Sequence, residues 1–161
     1  MTGEDCWSFP LLALAISPSG SALVVFERPL RIGLRLSWRK WSTRHLERVL
    51  ESCEPLTILV THATRRDVRP LVTPQLRRAL KTPNVSLHAL SLNEACVSMQ
   101  RDVTLPSIAT RLVDMYPEHE ERFHCFTTGR LRTKRARMRR PFLSALAVAH
   151  AASVRHVSRY G

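Results

Sequence analysis

The chain has 161 residues, 44% hydrophobic and 24% charged, a balance that suits one packed domain over residues 1–161 and argues against a disordered tail. Lys and Arg number 25 against 13 acids, a net charge of +12, which points first to nucleic acid, then to an anionic membrane or an acidic partner. Aromatic residues make up only 6%, too few for a single-strand binder built on many stacking platforms.

The predicted elements begin at residues 11–16 (LLALAI), a continuous apolar run that reads as a strand buried on both faces. Ser17-Pro18-Ser19-Gly20 follows and reads as a turn, with a phosphate contact as the alternative. Residues 21–27 give a second strand, Arg28-Pro29 a turn, and residues 31–38 alternate polar and apolar like a half-exposed edge strand. Short connections make these three an antiparallel meander. Ser42 caps a helix that runs to about Cys53 with Leu46, Val49 and Leu50 on one face, and Pro55 ends it. Residues 56–61 are the fourth strand and residues 85–88 the fifth, with a basic stretch from Arg65 to Lys81 between them. Ser91 with Glu94 forms a capping-box pattern, and Thr104 opens another helix with Ile108, Leu112, Val113 and Tyr116 on its apolar face. Residues 118–126 read as a polar connection. Pro141 begins a strongly apolar helix from Phe142 to about Val157, buried nearly all round.

Arg130, Arg132, Lys134, Arg135, Arg137, Arg139 and Arg140 place seven cations within eleven residues, and no acid follows Glu121. Such a run is self-repelling without an anionic neighbour, so residues 130–140 read as a phosphate-binding segment. Arginine dominates it, which suits bidentate phosphate contacts. Arg65 and Arg66 are further candidate contacts, as are Arg39 and Lys40. Trp38 and Trp41, on either side of the latter pair, read either as base-stacking residues or as packing under the first helix.

Cys6, Cys53, Cys96 and Cys125 contain no CxxC pair, so zinc ribbons and fingers are not expected. The nearest approach to a ligand cluster is His119, His124 and Cys125, but buried free thiols in a reducing compartment is the preferred reading. No metal and no cofactor is expected. Without a basic leader or an apolar run of about 20 residues, the expected setting is cytoplasmic, with no membrane partner.

A three-strand meander, then helix, strand, helices, strand and a final helix is the element order of the ribonuclease-H-like fold. The expected architecture is α/β: a mixed five-stranded sheet, three strands antiparallel and two parallel, flanked by helices, with its core over about residues 11–157. Within that order, LALAISPSGSALVVFE (12–27) resembles the opening of RuvC-like Holliday-junction resolvases. ILVTH (58–62) sits where that family has a strand ending in Glu, and LSLNEACV (90–97) resembles its segment after the fifth strand. Residues 102–116 resemble the helix that follows, and SALAVA (144–149) the family's last helix, usually Asp-Ala-Leu-Ala-Leu-Ala. The likeness spans roughly residues 11–154 and lies in the order and spacing of these segments.

The resemblance implies a two-metal nuclease held by about four carboxylates, and those positions here lack acids. The first falls on Ala15, or on Ser17 with a two-residue shift, the second on His62, and those of the last helix on Ser144 and the run near Arg137 to Arg140. What the resemblance implies is therefore a catalytically inactive RuvC-like protein. It would bind the phosphate backbone of structured DNA or RNA and act with a protein partner in a larger nucleoprotein complex. His62 reads either as a structural histidine or as a nucleic-acid contact. One alternative is an active nuclease with a relocated site, using His62, His88 and His119 with Asp67 or Glu94. Another is a basic structural protein of a ribonucleoprotein.

Overall fold

The computed structural model describes residues 7–17, 20–38, 43–62, 85–96 and 104–160. Strand β1 (Leu11–Ser17) lies between β2 (Gly20–Arg28), antiparallel to it, and β4 (Thr57–His62), parallel to it. Strand β3 (Arg31–Trp38) adds antiparallel to β2, and β5 (Ser86–Ala89) adds parallel to β4. The order β3-β2-β1-β4-β5 gives the expected mixed sheet, a meander on one side and two parallel strands on the other. At the first hairpin Ser17 pairs with Gly20, and its Oγ donates to the Gly20 carbonyl at 2.9 Å.

The apolar run of β1 is explained by two cores. Leu12 and Leu14, with Leu23, Val25, Ile58 and Val60, pack beneath Leu46 and Val49 of α1 (Thr43–Cys53). Leu11, Ala13 and Ala15, with Ala22, Val24, Phe26 and Leu59, face the opposite way and meet the last helix, α5 (Lys134–Tyr160). Strand alternation sends odd and even residues of β1 to opposite faces, so a strand covered on both must be apolar throughout. Each fully buried leucine contributes about 1.5–3 kcal/mol.

Both helix starts at Ser91 and Thr104 form where the sequence places them, and each carries a capping box, the one at Thr104 not expected from the sequence. Before α2 (Leu92–Cys96), the Ser91 Oγ accepts the Glu94 N–H at 3.0 Å, and the Ser91 N–H reaches the Glu94 carboxylate at 3.4 Å. Thr104 caps α3 (Leu105–Met115) by accepting the Ser107 N–H at 3.3 Å.

Two elements differ from expectation. Residues 118–126 are not a polar connection: a 3-10 turn (Pro117–His119) leads into α4 (Glu120–Thr127). Phe123 and Phe126, three residues apart and both buried, give that short helix an apolar stripe despite its charged first turn. The last helix starts at Lys134, a full seven positions before Pro141. Thr133 caps it, its Oγ1 accepting the Ala136 N–H at 3.1 Å and its carbonyl the Arg137 N–H at 3.1 Å. Pro141 thus lies inside the helix, where it supplies no N–H and disfavours helical continuation by about 3 kcal/mol. Burial of Phe142, Leu143 and Leu146 outweighs that cost. The helix continues through both.

Candidate nucleic-acid interface

Helix α5 crosses the sheet antiparallel to β1. Near its far end His156 meets Phe9, just before β1, with ring centroids 5.2 Å apart. Its first turns share a groove with Ser37, which the strand register places level with Ala22 and Ala15. The basic end of α5 therefore lies at the edge of the sheet where β1 and β4 finish.

Helix extension past Pro141 changes what the arginine run is. Lys134, Arg135, Arg137, Arg139 and Arg140 occupy the opening turns of α5, while Arg130 and Arg132 lie exposed in the connection after α4. No acid occupies the first turn. Cations there oppose the positive end of the helix dipole as well as one another, so the segment favours anions nearby.

Arg135 and Arg139, one turn apart, form a ridge between two grooves. On one side, a groove of about 590 Å³ takes its charge from Arg122 of α4 and from Lys134, Arg135 and Arg139, over an apolar floor of Met138 and Phe142. No carboxylate lines it among the described residues. The other groove, about 570 Å³, sets Glu120 and Glu121 opposite Arg130, Arg135 and Arg139. Its mixed charge disfavours a phosphate that the first groove would attract.

These cations are not equally free to act. The Arg139 Nη1 donates to the carbonyls of Glu121 at 3.3 Å and Arg122 at 3.2 Å, which fixes its guanidinium and ties α5 to α4. The Arg122 guanidinium lies 5.5 Å above the Phe142 ring, a cation–π arrangement. Arg140 is half-buried, its Nε enclosed without a hydrogen-bond partner among the described residues, and burial pulls its pKa down. It sits partly inside the fold.

Three of the positions where the resemblance places acids, Ala15, Ser17 and Ser144, are closed rather than open. Ala15 is wholly buried between Ala22 and Thr61. Ser17 spends its hydroxyl on the hairpin, and Ser144 is fully buried, its Oγ without a hydrogen-bond partner among the described residues. A methyl group and two hydroxyls do not fit a pair of hard divalent cations, which need several anionic oxygens. His62 ends β4 opposite Ile16; its side chain lies outside the described residues, as does that of Trp38. Arg39, Lys40, Trp41, Arg65, Arg66 and Asp67 also lie outside them.

Two histidines of the alternative relocated site, His88 and His119, lie far apart. His119 sits against Arg35 of β3, whereas His88 is on β5 with its ring 4.4 Å from that of Trp7. Those strands are the two edges of the sheet, four strand spacings or about 19 Å apart. Glu94 is engaged in its capping box. No cluster of three His, Cys, Asp or Glu suited to a metal occurs among the described residues.

His119 instead serves the packing beneath the cationic groove. It is buried, its Nε2 accepts from Arg35 Nη1 at 2.6 Å, and its ring lies 5.2 Å from that of Phe142. Burial, then Arg35 and Arg122, push its pKa down against an upward pull from Glu118. It is held neutral. Arg122 and Met138 were not legible as site residues, because one lies in a segment that reads as a loop and the other in a run that reads only as charge. No helix among the described residues is long and apolar enough to cross a membrane. No family model and no curated protein matches this chain.

Proposed function

We propose that this chain is a catalytically inactive, ribonuclease-H-like protein of RuvC type. It binds the phosphate backbone of structured DNA or RNA, inside the cell, as a subunit of a larger nucleoprotein complex. The observation that carries this reading is the groove in which Arg122, Lys134, Arg135 and Arg139 converge with no carboxylate among its described lining residues. The sheet supports the fold part of the reading, since a meander joined to two parallel strands and backed by a long last helix is what the resemblance implies. With Ala15 and Ser144 where the resemblance places carboxylates, two-metal cleavage lacks its ligands, which supports binding without cleavage.

The test is a salt titration of affinity for duplex DNA and duplex RNA. Each neutralised phosphate contributes about −0.9 to the log–log slope. Changing Arg122, Lys134 and Arg135 together to Gln is expected to flatten the slope by roughly two to three, in a protein whose circular dichroism is unchanged. Arg130→Gln, beside Glu120 and Glu121, is expected to change it by less than about one. An unchanged slope in the folded triple variant would assign the charge to an acidic protein partner. With magnesium or manganese present, no chelator-sensitive nicking of branched DNA, duplex DNA or structured RNA is expected.

A further inference from the structure

The cationic groove differs from a plain phosphate track in having a floor. Met138 is 53% exposed within it, a large apolar side chain facing solvent amid four cations. Beside it Phe142 carries the Arg122 guanidinium on its ring face at 5.5 Å, so that a planar, cationic surface is held in place from below. Arg139 is fixed by two backbone carbonyls, leaving its remaining donors oriented rather than mobile. At about 590 Å³ the groove is large enough for a nucleoside with its phosphate, within the span of about 300–1,000 Å³ usual for small-ligand sites.

A continuous duplex offers such a site only phosphates, because its bases are stacked inward. An unstacked nucleotide offers two matching parts. Its phosphate meets Lys134, Arg135 and Arg139. Its base finds a guanidinium plane at Arg122, a surface on which bases stack, and the polarizable thioether of Met138 covers what the guanidinium does not. We propose that this groove receives one unpaired nucleotide of the bound strand, so that the protein prefers nucleic acid carrying a bulge or flipped base over an uninterrupted duplex. The proposal rests on the nucleic-acid reading above and deepens it. Charge complementarity selects the occupant, since an apolar peptide would leave four cations unpaired and an acidic one would leave the apolar floor unused.

The experiment compares affinity for a duplex with one bulged 2-aminopurine and for the same duplex without the bulge, at one salt concentration, and follows the probe's fluorescence. Wild type is expected to favour the bulged duplex by about tenfold with a change in fluorescence on binding, since one base–side-chain stack commonly changes affinity by about 5- to 160-fold. Met138→Ala, a change at an exposed site that spares the fold, is expected to reduce the preference to about threefold or less. Arg122→Lys keeps the charge but removes the plane, and is expected to reduce the preference likewise. Equal affinity for the two duplexes, or a preference that survives both substitutions, would overturn the proposal while leaving the backbone-binding reading intact. Salt-independent or absent binding to both duplexes would overturn the reading beneath it as well. Displacement of the bulged duplex by micromolar nucleoside monophosphate would reassign the groove to a free nucleotide and overturn the proposal too.

Discussion

His150 shows how a single buried side chain sets a condition on the whole fold. It lies on the inner part of α5, its Nδ1 3.0 Å from the Tyr116 hydroxyl, with Nε2 buried and unpartnered among the described residues. Burial, and secondarily Arg111, lower its pKa from 6.5 to about 4. Its neutral form is therefore favoured in the folded state. Between those two pH values the unfolded chain binds more protons, so stability is complete above about pH 6.5 and falls as pH drops towards about 4. The loss from this residue is about 3 kcal/mol, and His119, whose pKa is also lowered, acts in the same direction. Urea unfolding at pH 7 and pH 4.5 is expected to show this loss, and His150→Asn, which keeps a partner for Tyr116, to remove most of it. A second residue-scale expectation concerns Ala15. Aspartate there would place a carboxylate among fully buried apolar neighbours. Ala15→Asp is therefore expected to cost several kcal/mol, about 3 or more, without creating nuclease activity. Denaturant unfolding and a chelator-controlled nicking assay check the two halves separately.

At the scale of the element, α5 shows a conflict between local and tertiary preference. Pro141 reads as a helix start, because proline suits a first turn and lacks the N–H an interior position needs. The helix nevertheless begins at Thr133, whose hydroxyl caps it. The signal was present in Thr133, a capping residue, but it was masked by a run of cations that opposes the helix dipole. What tipped the balance is burial beyond Pro141, where residues from Phe142 to Ser153 are almost completely enclosed. Thr133→Ala is expected to lower stability by about 1 kcal/mol and the Tm by about 3 °C. It should also weaken nucleic-acid binding, since Lys134 and Arg135 are carried by the turn it caps. Thermal unfolding and affinity measured on the same sample test both.

At the scale of the molecule, the charge is separated from the packing. Strand β1 and the inner half of α5 are apolar, while a cluster of cations gathers at one end of that helix, against Arg122 of α4. A cation cluster gathered on one groove creates a directional field, which steers a polyanion to that face. Association with duplex is accordingly expected to slow steeply as salt rises, with a smaller effect on dissociation, in stopped-flow measurements. If the charge acted diffusely, the triple variant at Arg122, Lys134 and Arg135 would slow association no more than three exposed arginines changed elsewhere, such as Arg44, Arg48 and Arg111.

The sequence by itself determined the sheet and its neighbours in the chain. Continuous apolarity in β1, alternation in β3 and the capping residues Ser91 and Thr104 are local or periodic signals, and each element formed within a residue or two of its expected place. Its excess of cations near residues 130–140 was likewise plain. Tertiary structure decided the rest. Whether Pro141 ends or interrupts a helix depends on how much apolar surface lies beyond it, and whether Arg140 meets solvent depends on what packs over it. Separation of His88 from His119 is set by strand order, which no spacing in the chain encodes. The groove itself joins α4 to α5 through Arg122 and Phe142, twenty positions apart, and exists only because α4 packs against the helix that lies on the sheet. Periodicity reports which face of an element is buried; it does not report what that face is buried against.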